Sequence, residues 1–378
     1  MKIGIDIRTL MDRYYGGISE FTYRLLKNIL EIDQKNQYIL YYNSWRNVSN
    51  RIPNFNSANV KIKFTQYPNK VFNYILQKGF KTPKIDQILG VDRFFMPHLN
   101  FAALSNNTRL ILTVHDLSFL RFSEHFSLRK NIWHYLINAR KLIERADQVI
   151  AISENTKNDI VNLCQIKENK IKVVYSGIGK QFKKLNLEKS EKREIRKKYK
   201  LPQKFIFSLN TIEPRKNIIG LIQAFELYCR ESKNDAIDLV IAGAMGWKYK
   251  EIVKFWQNSL VKNRIHFIKY VDNKDKPILY NLAEIFVYPS FYEGFGFPPL
   301  EAMACACPVI AGNNSSLSEV CAEASVLVDS NNPQTINQAI FQVLNKEKIK
   351  QNLIKKGEIQ IKRFNWRKTA REYIDIIY

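Results

Sequence analysis

Short apolar runs alternate with stretches of helical periodicity down this chain, and the alternation restarts once near its middle. K-I-G-I-D-I-R from Lys2, Y-I-L-Y-Y, V-K-I-K-F, D-R-F-F-M, R-L-I-L-T-V and Q-V-I-A-I read as strands. An amphipathic helix covers Ile18 to Leu30, and a basic helical pattern precedes the last of these strands. K-V-V-Y-S-G-I-G over Lys172–Gly179 and a charged stretch from Lys183 to Lys200, read as a solvated helical face, lead into a second series. Its strands are F-I-F-S-L, D-L-V-I-A-G, I-H-F-I-K-Y, E-I-F-V-Y and P-V-I-A-G. Such a rhythm is that of a doubly wound parallel sheet, so the expected class is α/β with two Rossmann-like domains, residues 1–176 and 177–361.

Composition agrees. A chain of 378 residues, 46% hydrophobic, has enough apolar material for two cores. No apolar run approaches the roughly 18 to 20 residues that span a bilayer, and Met1 to Ile7 reads as a first strand instead of a signal peptide, so a cytoplasmic protein is expected. The five cysteines are scattered without C-x-x-C spacing, which fits reduced, buried thiols. A formal charge of +24 attracts an acidic partner, whether nucleic acid, anionic lipid or a phosphate-rich substrate.

Ligands of open α/β sheets sit beyond the carboxyl ends of strands, so polar residues in those loops carry the functional reading. S-L-N-T-I-E-P-R-K-N follows a strand and enters a helical pattern, which puts Arg215 and Lys216 near a helix N-terminus where two cations and backbone N–H groups suit a diphosphate. E-G-F-G-F-P-P-L-E follows another strand. Gly294 and Gly296 let backbone approach a phosphate or sugar hydroxyl, Glu293 and Glu301 flank the segment, and Glu301, expected in the first helical turn, suits a vicinal diol such as ribose. Gly16 and Gly17 in Y-Y-G-G-I-S-E open the first helix as a phosphate-facing loop. His115 ends strand R-L-I-L-T-V beside Asp116, and His98 holds a similar place after Phe94 to Pro97. No Asp-x-Asp pair occurs to hold a divalent ion, so no metal is expected and diphosphate charge falls to Arg215, Lys216 and helix N-termini. A P-loop and a G-x-G-x-x-G after the first strand are also missing.

Taken together, E-P-R-K-N, E-G-F-G-F-P-P-L-E, the N-terminal G-G-I and V-H-D-L resemble glycosyltransferase family 4 of the GT-B fold. The resemblance implies two domains facing across a cleft, with a final helix at 362–378 that completes the first domain. It implies that Arg215 and Lys216 bind the donor diphosphate, Glu301 the ribose and Glu293 the transferred sugar, with Gly294, Phe295, Gly296 and Phe297 adding backbone contacts. Tyr270 and Val271 fall beside the base, Gly16 and Gly17 approach the phosphates, His115 contacts the sugar near the reacting carbon, and Ser153 faces the cleft. Arg215, Lys216, Glu293 and His115 are thus the expected catalytic group. Three positions depart from the family pattern: Asn210 and Lys269 stand where glycine is usual, and Ser318 where proline is.

Implied with these roles is anomeric retention, no cofactor beyond a nucleotide-sugar co-substrate, and no divalent metal. G-I-D-I-R-T-L with Y-Y-G-G-I-S-E most resembles bacterial O-antigen mannosyltransferases, which makes GDP-mannose the first expectation for the donor and UDP-hexoses the alternative. The acceptor is expected to be a glycan or a polyprenyl-diphosphate-linked glycan. Lys61 to Lys84 holds six lysines and no acidic residue, interleaved with Phe64, Tyr67, Phe72, Tyr74, Ile75 and Phe80. The pattern around Arg129, Lys130, Trp133, Arg140 and Lys141 offers a second such face. Either could rest on an anionic membrane or be an ordinary solvated helix face. A sugar-nucleotide epimerase or phosphorylase on the same architecture stays open. A nucleic-acid-binding protein is the reading of a different class, and no recognition module supports it.

Overall fold

In a computed structural model, residues 1–12, 15–55, 57–232 and 237–378 are described. Tyr14 of Y-Y-G-G-I-S-E lies outside them. The chain divides into two compact units: Met1–Arg121 with Leu128–Gly177 and Phe364–Tyr378, and Phe122–Ser127 with Ile178–Arg363. The short Phe122–Ser127 segment thus belongs with the second unit although it lies in the first half of the sequence.

The first unit is built on seven parallel strands: β1 (Lys2–Asp6), β2 (Gln37–Asn43), β3 (Val60–Thr65), β4 (Arg93–Met96), β5 (Arg109–Val114), β6 (Gln148–Ala151) and β7 (Ile171–Val173). Their order is β3-β2-β1-β4-β5-β6-β7. The order reverses direction between β1 and β4, which pair in register from Ile3 against Arg93 to Ile5 against Phe95. Ile3, Ile5, Phe94, Phe95 and Ile111 are fully buried, as central strands covered on both faces require. The helix Gly17–Ile32 packs on the last helix, Trp366–Ile377. That last helix is locked in place. Thr369 Oγ1 donates to Tyr175 O at 2.7 Å, Arg93 Nη1 donates to Ile377 O at 2.5 Å, and a Cβ on Gly177 would lie 2.2 Å from Trp366 N.

The second unit carries six parallel strands: β8 (Lys204–Leu209), β9 (Ile237–Ala242), β10 (Ile265–Ile268), β11 (Ile285–Tyr288), β12 (Val309–Gly312) and β13 (Ser325–Val328), in the order β10-β9-β8-β11-β12-β13. Here the reversal falls between β8 and β11. Ile206, Leu239, Ile285 and Val287 pack with Leu221, Phe225 and Ile340 of the covering helices. Both sheets are Rossmann-like and parallel, which is the fold class read from the sequence.

Details differ from that reading. Strand β13 at the sheet edge is additional; S-V-L-V is too short and too weakly bounded to stand out as a run. The helix expected to begin near Leu300 begins at Phe297, because prolines at its first positions need no N–H and are preset for helical φ. Glu301 therefore sits in its second turn. Val71–Phe80, within the basic aromatic stretch, is wound as a π-helix.

Candidate active site

In an open α/β sheet the crevice for a ligand forms where strand order reverses, beyond the carboxyl ends. In the second unit that place is the gap between β8 and β11, and both motif loops leave from it. After β8 the backbone makes a single 3-10 turn, Pro214–Lys216, and Asn217 then caps the helix Ile218–Glu231 by accepting from Gly220 N at 3.3 Å. Asn217 adopts φ 53° to do so, a left-handed conformation that asparagine tolerates. Its Nδ2 donates to Pro289 O at 3.1 Å and Ser330 O at 2.6 Å, and Phe291 N donates to Arg215 O at 2.9 Å. These bonds tie the loop after β8 to the loop after β11.

The charged side chains meet at that tie. Lys216 Nζ lies 2.6 Å from Glu293 Oε1 and 3.1 Å from Tyr288 OH. Arg215 Nη1 donates to Glu293 Oε2 at 3.1 Å and to Tyr292 O at 2.7 Å, and its Nη2 reaches Glu213 Oε1 at 3.0 Å. Lys216, Glu213 and Glu293 are all buried. Burial alone would raise the Glu293 carboxyl, but Lys216 and Arg215 outweigh it and hold it at about 2. Two cations and two carboxylates thus form one interlocked, formally neutral network. Arg215 and Lys216 are not loose surface charges; they are aimed by partners the sequence reading had not paired with them. Glu213 stands inside E-P-R-K-N and Tyr288 ends strand β11, so motif and position were both visible, but not the contact between them.

Backbone geometry explains the glycine of the second loop. Gly296 caps the helix Phe297–Ala304 with φ 110°, a conformation side-chain-bearing residues rarely adopt, and a Cβ there would meet Leu317 Cδ2 at 2.8 Å. Ser316 Oγ donates to Glu293 O at 2.9 Å and to Phe295 O at 2.8 Å, fixing the turn, while Glu293 N donates to Ser315 Oγ at 2.9 Å. Gly294 and Phe295 are buried and Phe297 half-buried. Glu301 accepts from the buried Tyr280 OH at 2.9 Å through Oε2. Tyr270 is half-buried and Val271 buried in the segment after β10, with Lys269 exposed beside them.

A cavity of about 330 Å³ opens next to the start of helix Ile218–Glu231, lined by Gln223, Lys248, Glu251 and Asn331 among others. Arg215, Lys216, Glu293 and Glu301 do not line it, so it is not where the expected site residues meet.

In the first unit, His115 leaves β5 with its Nε2 2.8 Å from Pro97 O and its ring edge-on to Phe21. A carbonyl only accepts, so Nε2 carries the proton and Nδ1 the lone pair. Burial lowers the pKa of this ring below that of an ordinary histidine, despite the opposing pull of Pro97 O and Asp116. Gly16 and Gly17 are exposed at the start of helix Gly17–Ile32. Neither has a positive φ, and an added Cβ would touch nothing, so the fold itself does not demand glycine there. Ser153 is buried and caps the helix Glu154–Cys164 through Thr156 N at 3.1 Å.

Comparison with known proteins bears on this arrangement. The family model described as Glycosyltransferase Family 4 matches residues 15–181, and that described as Glycosyl transferases group 1 matches residues 188–360. The O-antigen chain mannosyltransferase B of Escherichia coli is 28% identical over 291 residues, 77% of this chain and 74% of that protein. The serotype-specific mannosyltransferase WbdA of Escherichia coli is 29% identical over 268 residues, 71% of this chain but 33% of that protein, so the chain spans about a third of its length. A solved sucrose-phosphate synthase of Thermosynechococcus elongatus superposes with a TM-score of 0.76 at 18% identity, covering 99% of this chain and 98% of that one. Two glycosyltransferase family models that between them take in both sheets, on two parallel Rossmann-like units, establish this chain as a glycosyltransferase of GT-B type with a family 4 domain at residues 15–181 and a group 1 domain at residues 188–360.

Proposed function

We propose that this glycosyltransferase is a retaining, metal-independent mannosyltransferase that takes mannose from GDP-mannose to a glycan, or to a polyprenyl-diphosphate-linked glycan, in cell-surface polysaccharide assembly. The observation that carries the reading is the buried network of Arg215, Lys216, Glu213 and Glu293 at the β8/β11 crevice. In this reading the two cations neutralise the leaving diphosphate in place of a divalent ion. Glu301 offers its carboxylate to a ribose diol, oriented by the Tyr280 hydroxyl on Oε2. Glu293 and His115 contact the transferred sugar, Gly16 and Gly17 the phosphates, Tyr270 and Val271 the base. The bond from the anomeric carbon to the phosphate oxygen breaks with its electron pair leaving on that oxygen. The acceptor hydroxyl oxygen bonds to the same face of the carbon, and its proton passes to the departing phosphate. Mannose and O-antigen assembly are favoured over other hexoses by the names of the relatives, and a UDP-hexose is the alternative donor.

A lipid-linked acceptor calls for work at a membrane surface, and we place the protein in the cytoplasm, peripheral on the inner face of the cytoplasmic membrane. Support comes from an exposed face in the first unit. Among the described residues no helix is long and apolar enough to cross a membrane. Yet Ile75 and Phe80 of the π-helix and Leu128, Ile132 and Tyr135 of the helix Leu128–Ile137 are exposed. Tyr74, Phe101 and Trp133 stack edge-on in sequence, at 5.3 and 6.2 Å between ring centroids, and join the two helices. Lys70, Lys78, Lys81, Arg129 and Lys130, on or at the ends of the same two helices, are exposed as well, and an anionic lipid surface would attract them. Vesicles containing phosphatidylglycerol should sediment the wild-type chain, with less bound at high salt and little bound by the Phe80→Ser, Tyr135→Ser double variant; equal binding to neutral phosphatidylcholine contradicts the assignment.

The reaction is tested with radiolabelled GDP-mannose and UDP-hexoses, each incubated with the protein and a lipid-linked glycan extract. Label moving from GDP-mannose into a glycan supports the reading. Isomerised donor without glycan product would sink transfer in favour of an epimerase, and tight binding to duplex or single-stranded nucleic acid at physiological salt would favour the basic nucleic-acid binder.

A further inference from the structure

Strand order gives the first unit a crevice of its own, because β1 and β4 are neighbours at the point where that sheet reverses. Asp6 and Arg8 come from the end of β1, His98 from the end of β4, and His115 from β5 next to it. Asp6 and Arg8 satisfy each other: Arg8 Nη2 lies 2.6 Å from Asp6 Oδ2 and also donates to Phe101 O at 2.8 Å, with both side chains buried. His115 has given its one proton to Pro97 O.

His98 is left with a donor to spare. The residue is 7% exposed. Asn100 Oδ1 accepts from Phe101 N at 2.9 Å, which orients that amide and turns its Nδ2 to His98 Nε2 at 3.1 Å. An amide nitrogen only donates, so Nε2 is the acceptor and the proton of a neutral ring sits on Nδ1. His98 Nδ1 is closed off from solvent and has no hydrogen-bond partner among the described residues. Burial outweighs the attraction of Asp6 and holds the ring neutral, with a pKa of about 4. Leaving a buried N–H unpaired costs about 1 to 3 kcal/mol, and such groups persist where a ligand completes them.

We propose that His98 Nδ1–H is an acceptor-binding group, donating to a hydroxyl oxygen of the acceptor glycan at the β1/β4 crevice. The inference rests on the transfer reading above. The His98 ring is uncharged and Arg8 is already held by Asp6 and Phe101 O, so what His98 offers a ligand is one neutral donor, suited to a sugar hydroxyl. The diphosphate belongs instead with Arg215 and Lys216 in the second unit.

The test compares wild type with His98→Leu, which removes the donor, and His98→Gln, which keeps an N–H. GDP binding is followed by calorimetry, and transfer from GDP-mannose to methyl α-mannoside and mannose-ended oligosaccharides gives the acceptor KM. His98→Leu should raise the acceptor KM about tenfold, the loss of one hydrogen bond, with GDP affinity unchanged and no fall in thermal midpoint. His98→Gln should recover most of the loss. An unchanged acceptor KM in His98→Leu overturns the inference, as does a drop in thermal midpoint with GDP affinity falling in parallel, since that marks a structural role. Wild type that binds GDP but accepts none of these sugars overturns the inference while leaving the donor site standing. Wild type that binds neither GDP nor UDP takes down the transfer reading itself.

Discussion

Glu293 shows how a carboxylate becomes buried between two cations: it is the counter-ion that positions Lys216 and Arg215. Removing one partner should be costly twice. Lys216→Met should lower stability by about 3 to 5 kcal/mol by leaving part of that carboxylate unpaired, and weaken GDP binding by about 1 to 3 kcal/mol; urea unfolding and calorimetry read the two losses separately. A neutral effect on both contradicts the network. The depressed Glu293 pKa carries stability that is complete above the ordinary value of 4.5 and is lost as pH falls through about 2. Histidines act earlier. His98 and His134 are both held near 4 by burial, against an ordinary 6.5, so the unfolded chain takes up protons first as pH falls. Stability should therefore decline between about pH 6.5 and 4, by up to about 1.4 kcal/mol per pH unit per histidine, and His98→Leu should flatten that decline. Unfolding midpoints that are level across this window contradict it. Arg215, Lys216, Glu293 and Glu301 were legible because they lie within short motifs. Their partners were not: Tyr288 meets Lys216 across 72 positions and Tyr280 meets Glu301 across 21, distances over which a sequence states no contact. His98 could be placed after its strand, but its unfilled donor depends on the Asn100 amide orientation.

Elements were legible where apolar runs were pure. R-L-I-L-T-V is β5 residue for residue, and the interior strands of both sheets fall on the runs read from the sequence. The edge strand β13 and one helix start were not, since β13 owes its existence to pairing with β12 and the Phe297–Ala304 helix its start to two prolines acting as a signal. The glycines that shape these joints are open to test. Gly243 has φ 142°, and a Cβ there would fall 1.5 Å from Asn210 O, backbone that cannot yield without disturbing the β8/β9 pairing. Gly243→Ala should cost about 3 kcal/mol or more in urea unfolding, whereas Gly16→Ala, with nothing near its Cβ, should leave stability unchanged and act only on donor affinity. Equal stability losses at the two positions contradict this contrast.

For the whole molecule, the charge of +24 has two destinations in this account, a diphosphate and an anionic surface, and salt separates them. Exposed charges are screened over about 8 Å at physiological ionic strength, and buried ones much less. Vesicle binding should therefore fall steeply with salt while nucleotide affinity changes little. The division into two units was readable from the restart of the strand rhythm; the return of Phe364–Tyr378 to the first unit entered only through the family resemblance. The central claim is that the β8/β11 crevice holds the nucleotide of a sugar donor, and the most direct measurement is calorimetric titration of GDP and UDP into wild type and Glu301→Ala. The account predicts GDP bound more tightly than UDP, with affinity reduced by about 1 to 3 kcal/mol in the variant. No binding of either nucleotide, or the same affinity with and without the Glu301 carboxylate, would contradict it.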